Sequence, residues 1–137
     1  MSLYLCVFDS DHDVNGVDVG FYSDFNAFRE TICNVLENEI IGSKFPTLML
    51  HSDCDGQWDV AECRVLEKEL HAIASVIIDM QPRSFNSEWQ ENTAKLIGIE
   101  PKNLYETFID VDGEPLIARL IQLCQSAQKY NQPILFQ

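Results

Sequence analysis

The residues whose types could support chemistry are concentrated in one polar segment, His51 to Glu62. His51 and Cys54 lie three positions apart, and a cysteine beside a histidine can act as a nucleophile. The segment also contains four carboxylates, Asp53, Asp55, Asp59 and Glu62. These carboxylates disfavour a thiolate because like charges repel. They could instead hold a hard cation. One hypothesis is therefore a small enzyme or metal-binding protein that uses the loop His51–Glu62.

The same segment has the composition of a recognition surface. Trp58 stands among the carboxylates, and a large aromatic residue flanked by charges is typical of an interface anchor. The other interpretation, in which the indole folds back over the edge of the core, is equally open. A second acidic loop begins at Asp9. We predict one partner-binding set from both loops: Asp53, Asp55, Gln57, Trp58, Asp59, Glu62, Asp9, Asp11 and Asp13.

The D-x-D-x-D spacing from Asp9 to Asp13 resembles the start of a calcium-binding loop. The EF-hand template, however, requires glycine at its sixth position and glutamate at its twelfth, where this chain has Val14 and Gly20. Glycine-rich phosphate loops, Ser-His-Asp spacings and the H-E-x-x-H motif are missing as well. We therefore predict no metal site and no cofactor.

Two apolar runs are expected to position the acidic loops. Leu3–Phe8 is a continuous apolar run of strand length, which predicts a central strand, and Phe45–Leu50 has the length and texture of a strand buried on both faces. Asp59 followed three residues later by Glu62 predicts the N-cap and capping box of a helix. If the two strands run parallel, their carboxyl ends lie at one edge of the sheet, and both acidic loops leave from that edge.

The remaining patterns predict one α+β domain over residues 1–137, with a loosely wound α/β arrangement as the alternative. Val17 to Tyr22 alternates as a half-exposed edge strand does, and Ile134–Phe136 is apolar enough for the interior of the sheet. Apolar residues recur at helical spacing after Ser23, after Asp59, after Ser87 and after Pro115. Ser87 with Gln90 predicts another capping box, and the helix that it begins is expected to bury Trp89, Leu96 and Ile97. The helix after Asp59 is expected to bury one stripe: Cys63, Leu66, Leu70, Ile73, Ala74 and Ile77. We predict a mixed sheet of about four strands with helices packed against it.

The net charge of −13 limits the classes of partner. A polyanion would be repelled, so direct binding of nucleic acid or of an anionic membrane is not expected. The charge favours a basic protein partner, or it contributes solubility alone. The five cysteines form no C-x-x-C pair, which indicates free thiols in a reducing compartment. No signal peptide and no membrane span are predicted, so a cytoplasmic location is expected.

Four stretches are similar to a bacterial immunity-protein family from polymorphic-toxin and contact-dependent competition systems. They are LYLCVFD near the start, FPTLMLHSDCDGQWDVAEC in the middle, DVDGEPLIARL, and the closing PILFQ. The resemblance implies a small, cytoplasmic, non-enzymatic protein that binds and neutralises the C-terminal domain of a toxin encoded beside it. Many such toxins are nucleases, whose basic clefts would attract an acidic surface. Neither the toxin nor self-association follows from the resemblance, and it assigns no residue roles.

Overall fold

The computed structural model describes residues 2–53 and 56–137. This part of the chain forms a single α+β domain, as predicted, with four strands and six helices. The strands are β1 (Ser2–Asp9), β2 (His12–Phe21), β3 (Gln57–Trp58) and β4 (Ile134–Phe136). The helices are α1 (Tyr22–Leu36), α2 (Pro46–Met49), α3 (Val60–Ile77), α4 (Glu88–Ile97), α5 (Leu104–Thr107) and α6 (Leu116–Tyr130).

The strands lie in the order β2-β1-β4-β3, and all three described pairings are antiparallel. The prediction of a mixed sheet is therefore wrong, because the described sheet is antiparallel. The edge strand predicted from Val17 is confirmed as part of β2, and the interior position of Ile134–Phe136 is confirmed as β4. A tight turn joins β1 to β2 at Ser10 and Asp11, whose φ angles of 50° and 70° suit a two-residue hairpin.

The predicted strand Phe45–Leu50 is wrong, because this segment forms the short helix α2. Pro46 occupies the first turn, where a missing amide donor costs nothing. The carboxylate of Glu69 on α3 accepts the next amides, from Thr47 N at 3.2 Å and Leu48 N at 3.0 Å. A short apolar run cannot be distinguished from a buried helix by periodicity alone, and a contact from a distant residue stabilises the helix here.

A second buried carboxylate, that of Glu37, holds the chain between α1 and α2. It accepts hydrogen bonds from three backbone amides, those of Gly42 at 3.0 Å, Lys44 at 2.9 Å and Phe45 at 2.8 Å. Burial alone would raise the pKa of Glu37, but these bonds, with one from the Cys33 thiol, outweigh burial and lower it. The segment that precedes the polar loop is therefore fixed by a charged residue.

The hydrophobic core lies on one face of the sheet. Leu3, Leu5 and Val7 of β1 point into it, together with Ile134 and Phe136 of β4. Helices α1, α3 and α6 supply most of the remaining core side chains, including the predicted α3 stripe: Cys63, Leu66, Leu70, Ile73 and Ile77. The alternate side chains of β1 and β4 therefore point to the opposite face.

Helix α4 begins with one half of the predicted capping box, since Ser87 N donates to Gln90 Oε1 at 3.1 Å, whereas the Ser87 hydroxyl donates to Asp24 and makes no cap bond. Its predicted buried face is wrong, because Leu96 and Ile97 are 87% and 52% exposed. Gln90 and Ala94 are the residues that α4 buries. The four described cysteines, at positions 6, 33, 63 and 124, are buried free thiols as predicted.

Candidate functional site

Two acidic segments leave the sheet at the same end. Strands β1 and β3 each pair antiparallel with β4, so they run parallel to each other. Cys6 and Gln57 both face Leu135, which puts them level across the sheet, two strands apart. Two strand spacings are about 10 Å. The sequence analysis predicts that two acidic loops leave one edge of the sheet, the second of them after a strand at Phe45–Leu50. In the structure the second acidic segment follows β3 instead and begins at Asp59.

One acidic segment is the start of α3. Glu62 N donates to Asp59 Oδ1 at 2.7 Å, and Asp59 N donates to Glu62 Oε1 at 3.1 Å. The predicted capping box is thus confirmed. Both residues are exposed, so the reciprocal bonds hold two carboxylates at the protein surface in fixed positions. The amino end of a helix favours negative charge, and these acids also stabilise α3.

The other acidic segment is the β1–β2 hairpin. Asp11 and Asp13 are exposed, and Asp9 is half-buried. The hydroxyl of Tyr4 donates to Asp13 Oδ2 at 2.8 Å. Burial, followed by the hydrogen bond and the charge of Asp13, raises the pKa of Tyr4 to about 12. The phenol therefore stays neutral at physiological pH and holds one carboxylate of the hairpin.

Asp53 does not lie at this end of the sheet, because it precedes β3 whereas Asp59 follows β3. Its Oδ2 lies 4.0 Å from Arg29 NH2 on α1. The same guanidinium donates to the carbonyl oxygen of His51 at 2.7 Å and to that of Leu48 at 3.3 Å. Burial lowers the pKa of Arg29, and the charge of Asp53 partly opposes that shift. Asp53 thus helps to fasten the polar loop to α1.

Trp58, the predicted interface anchor, has a fully buried side chain. Its indole Nε1 donates to the carbonyl oxygen of Thr47 at 3.0 Å. The indole makes an edge contact with the ring of Phe136, with centroids 4.7 Å apart, and a tilted contact with His51 at 5.1 Å. The structure thus agrees with the interpretation that the indole covers the core. The neighbouring Gln57 is exposed.

Both ring nitrogens of His51 are in contact with backbone carbonyl oxygens. Nδ1 lies 2.6 Å from the carbonyl oxygen of Ser52, and Nε2 lies 2.8 Å from that of Gln57. The ring stacks on Phe136 at 4.3 Å. Neither nitrogen is free to act as a base or a metal ligand in this arrangement. Cys54 and Asp55 lie outside the described residues, and within residues 2–53 and 56–137 no group of three or more His, Cys, Asp or Glu side chains could hold a metal ion.

Sequence reasoning missed the face of the sheet that points away from the core. Tyr4, Phe8 and Leu135 lie there, partly exposed, and none of them packs against the core cluster. The central strand predicted from LYLCVFD is confirmed as β1. The run carries no polar–apolar alternation that would have indicated an exposed face, because all its residues up to the final aspartate are apolar or aromatic.

No helix among the described residues is long and apolar enough to cross a membrane.

Comparison with known proteins gives the family. Neither the curated proteins nor the solved structures gave a match to this chain. The family model of Immunity protein 70 matches residues 3–136, nearly the whole sequence. The chain therefore belongs to the Immunity protein 70 family, whose description implies the neutralisation of a partner toxin.

Proposed function

We propose that the protein acts in the cytoplasm, where it binds the toxin domain that the neighbouring gene encodes. Binding neutralises this toxin domain without catalysis. We further propose that this toxin domain is basic, as a nuclease is. One observation carries the proposal: in a chain of net charge −13, the hairpin acids and the first turn of α3 lie at the same end of the sheet. We call this surface the acidic end; it consists of Asp9, Asp11, Asp13, Asp59 and Glu62.

The acidic end would act in two ways. Its summed field attracts a basic surface and raises the association rate. Once bound, it covers the cleft in which a nuclease would otherwise hold its polyanionic substrate. The Tyr4 hydroxyl fixes Asp13, and the α3 capping box fixes Asp59 and Glu62, before binding, so these three carboxylates lose little conformational entropy on association.

The loop before the acidic end belongs to the proposed surface as well. Gln57 would extend it along β3, and Asp53 and Asp55 stay in the proposed partner-binding set as further acids of the preceding loop. Trp58 would contribute from the core, by holding the backbone between Gln57 and Asp59 in place. In this proposal Trp58 is a positioning residue. The contacts of its indole with Thr47 and Phe136 support that role.

The test is a double substitution that removes charge and preserves the fold. Asp11→Asn with Asp59→Asn removes two carboxylates, and asparagine is as good an N-cap as aspartate. The matched control is Glu30→Gln with Asp79→Asn, two exposed acids elsewhere. The probe is the C-terminal domain of the large secreted protein encoded by the neighbouring gene. Association rates are measured over a range of salt concentrations, and survival is scored in cells that express this toxin domain.

We expect the acidic-end variant to associate several-fold more slowly than wild type at low salt, with a flatter response to salt. The dissociation rate should change little, and the control should retain a steeper response. If the two variants behave alike, the acidic end is not the surface that attracts the toxin. If the wild-type chain neither binds the toxin domain nor protects the cells, the proposed function itself is wrong.

A further inference from the structure

The side of the sheet opposite the core presents an apolar surface to solvent. Tyr4 and Phe8 from β1 and Leu135 from β4 lie there half-buried, and Gln57 from β3 is exposed beside them. Cys6 lies among them and is fully buried. We call Tyr4, Phe8, Leu135 and Gln57 the open face. It is a continuous patch across three adjacent strands, with two aromatic rings.

The open face is flanked by acids of the sheet and by one arginine of α6. The four strands and the hairpin turn carry Asp9, Asp11, Asp13 and Asp18 but no lysine or arginine. Arg119 is close enough for its charge to lower the pKa of Tyr4 slightly against the larger effect of burial. Its guanidinium is already engaged, with Nε 3.4 Å from Asp110 Oδ2 and NH2 donating to the carbonyl oxygen of Gly16 at 2.6 Å.

The edges of the sheet are partly occupied, which leaves the open face as the accessible side. On β2, Val111 N donates to the carbonyl oxygen of Asp18 at 3.1 Å, and Arg119 contacts the carbonyl oxygen of Gly16. On β3, the carbonyl oxygen of Gln57 is in contact with the ring of His51. A partner strand could not use these carbonyls to extend the sheet.

We infer that the open face is the centre of the toxin-binding surface, with the hairpin acids as its rim. This inference rests on the proposed function. The occupant is the toxin domain, presenting an apolar cluster surrounded by lysine or arginine side chains that pair with Asp9, Asp11 and Asp13. Aromatic residues at the centre and charges at the rim are the usual composition of a specific interface. A second copy of this chain is disfavoured as the occupant because its rim would bring like charges together.

Two variants test the inference, with the neighbouring-gene toxin domain as the probe. Phe8→Ala removes an aromatic side chain from the open face, on the side nearer the hairpin acids. Gln57→Lys places a cation at an exposed position of that face and leaves the core untouched. The matched control is Leu96→Ala, which removes an exposed apolar side chain from α4. Circular dichroism and urea unfolding establish that each variant is folded, and size-exclusion chromatography gives its oligomeric state.

We expect Phe8→Ala and Gln57→Lys each to weaken toxin binding at least tenfold, mainly through faster dissociation, with Leu96→Ala within twofold of wild type. If Phe8→Ala fails to fold, Gln57→Lys decides alone. Wild-type dissociation rates in the folded variants would overturn the inference and leave the proposed function intact. A dimer that Phe8→Ala dissociates, with toxin binding unchanged, would also overturn it. Failure of the wild-type chain to bind the toxin domain would refute the proposed function.

Discussion

Substitutions of Trp58 distinguish a role of its indole in the core from a role as an interface anchor. The indole is fully buried, contacts the ring of Phe136 and donates to the carbonyl oxygen of Thr47. Truncating a buried aromatic to alanine costs about 3–5 kcal/mol in the free energy of unfolding. Because small domains unfold with about 5–15 kcal/mol, Trp58→Ala is expected to lose a large share of the stability.

Trp58→Phe refines the test because it removes less. Phenylalanine retains an aromatic ring against Phe136 but cannot donate to the carbonyl oxygen of Thr47. A lost hydrogen bond that leaves its partner without a donor costs about 1–3 kcal/mol. The expected order of stability is therefore wild type, then Trp58→Phe, then Trp58→Ala. Leu96→Ala, at an exposed position, should stay within about 0.5 kcal/mol of wild type.

Urea unfolding followed by circular dichroism measures this order through the midpoints, provided that the slopes are unchanged. Toxin dissociation is measured in parallel on the folded variants. We expect Trp58→Phe to lower the midpoint and leave the dissociation rate close to that of wild type. An unchanged midpoint together with faster dissociation would refute the reasoning, since it would mean that the indole contacts the toxin directly.

Four further predictions concern three side chains, Glu37, Asp59 and Cys54. Glu37→Gln should cost about 2–3 kcal/mol, because one oxygen that accepts backbone amides becomes a donor; urea unfolding measures it, and a neutral result would mean that the amides find other partners. The pKa of Glu37 is lowered in the folded state, so its stabilisation is complete above the ordinary glutamate pKa and is lost as the pH falls through the folded value. The wild-type urea midpoint should therefore fall below about pH 4, and a fall of equal size in Glu37→Gln would assign it to other groups. Asp59→Ala should cost about 1 kcal/mol by removing the α3 cap, and Asp59→Asn much less; equal losses would show that the cap charge matters more than its hydrogen bond. Cys54→Ala should leave protection against the toxin intact, whereas loss of protection in a folded variant would favour the nucleophile hypothesis.

The features that were predictable from the sequence are decided by residues close together in the chain. The capping boxes of α3 and α4 each join residues three positions apart; the first forms in full and the second through the bond from Ser87 N to Gln90 alone. Segment 45–50 was mispredicted because Glu69, more than twenty positions away, caps α2. The burial of Trp58 likewise depends on its contact with Phe136, which is distant in the sequence. The acidic composition of the candidate site was readable, but the strand order that brings part of it together was not.

The position of β4 between β1 and β3 also sets an order of assembly during synthesis. Strands β1 and β2 are adjacent in the chain and can pair early, as hairpins do. Strand β3 has no neighbour in the described sheet other than β4, which lies more than seventy residues further along the chain. Such distant pairings form slowly. The start of α3 and the hairpin therefore come together only after β4 has been made, so a nascent chain carries its acids long before it presents them as one surface.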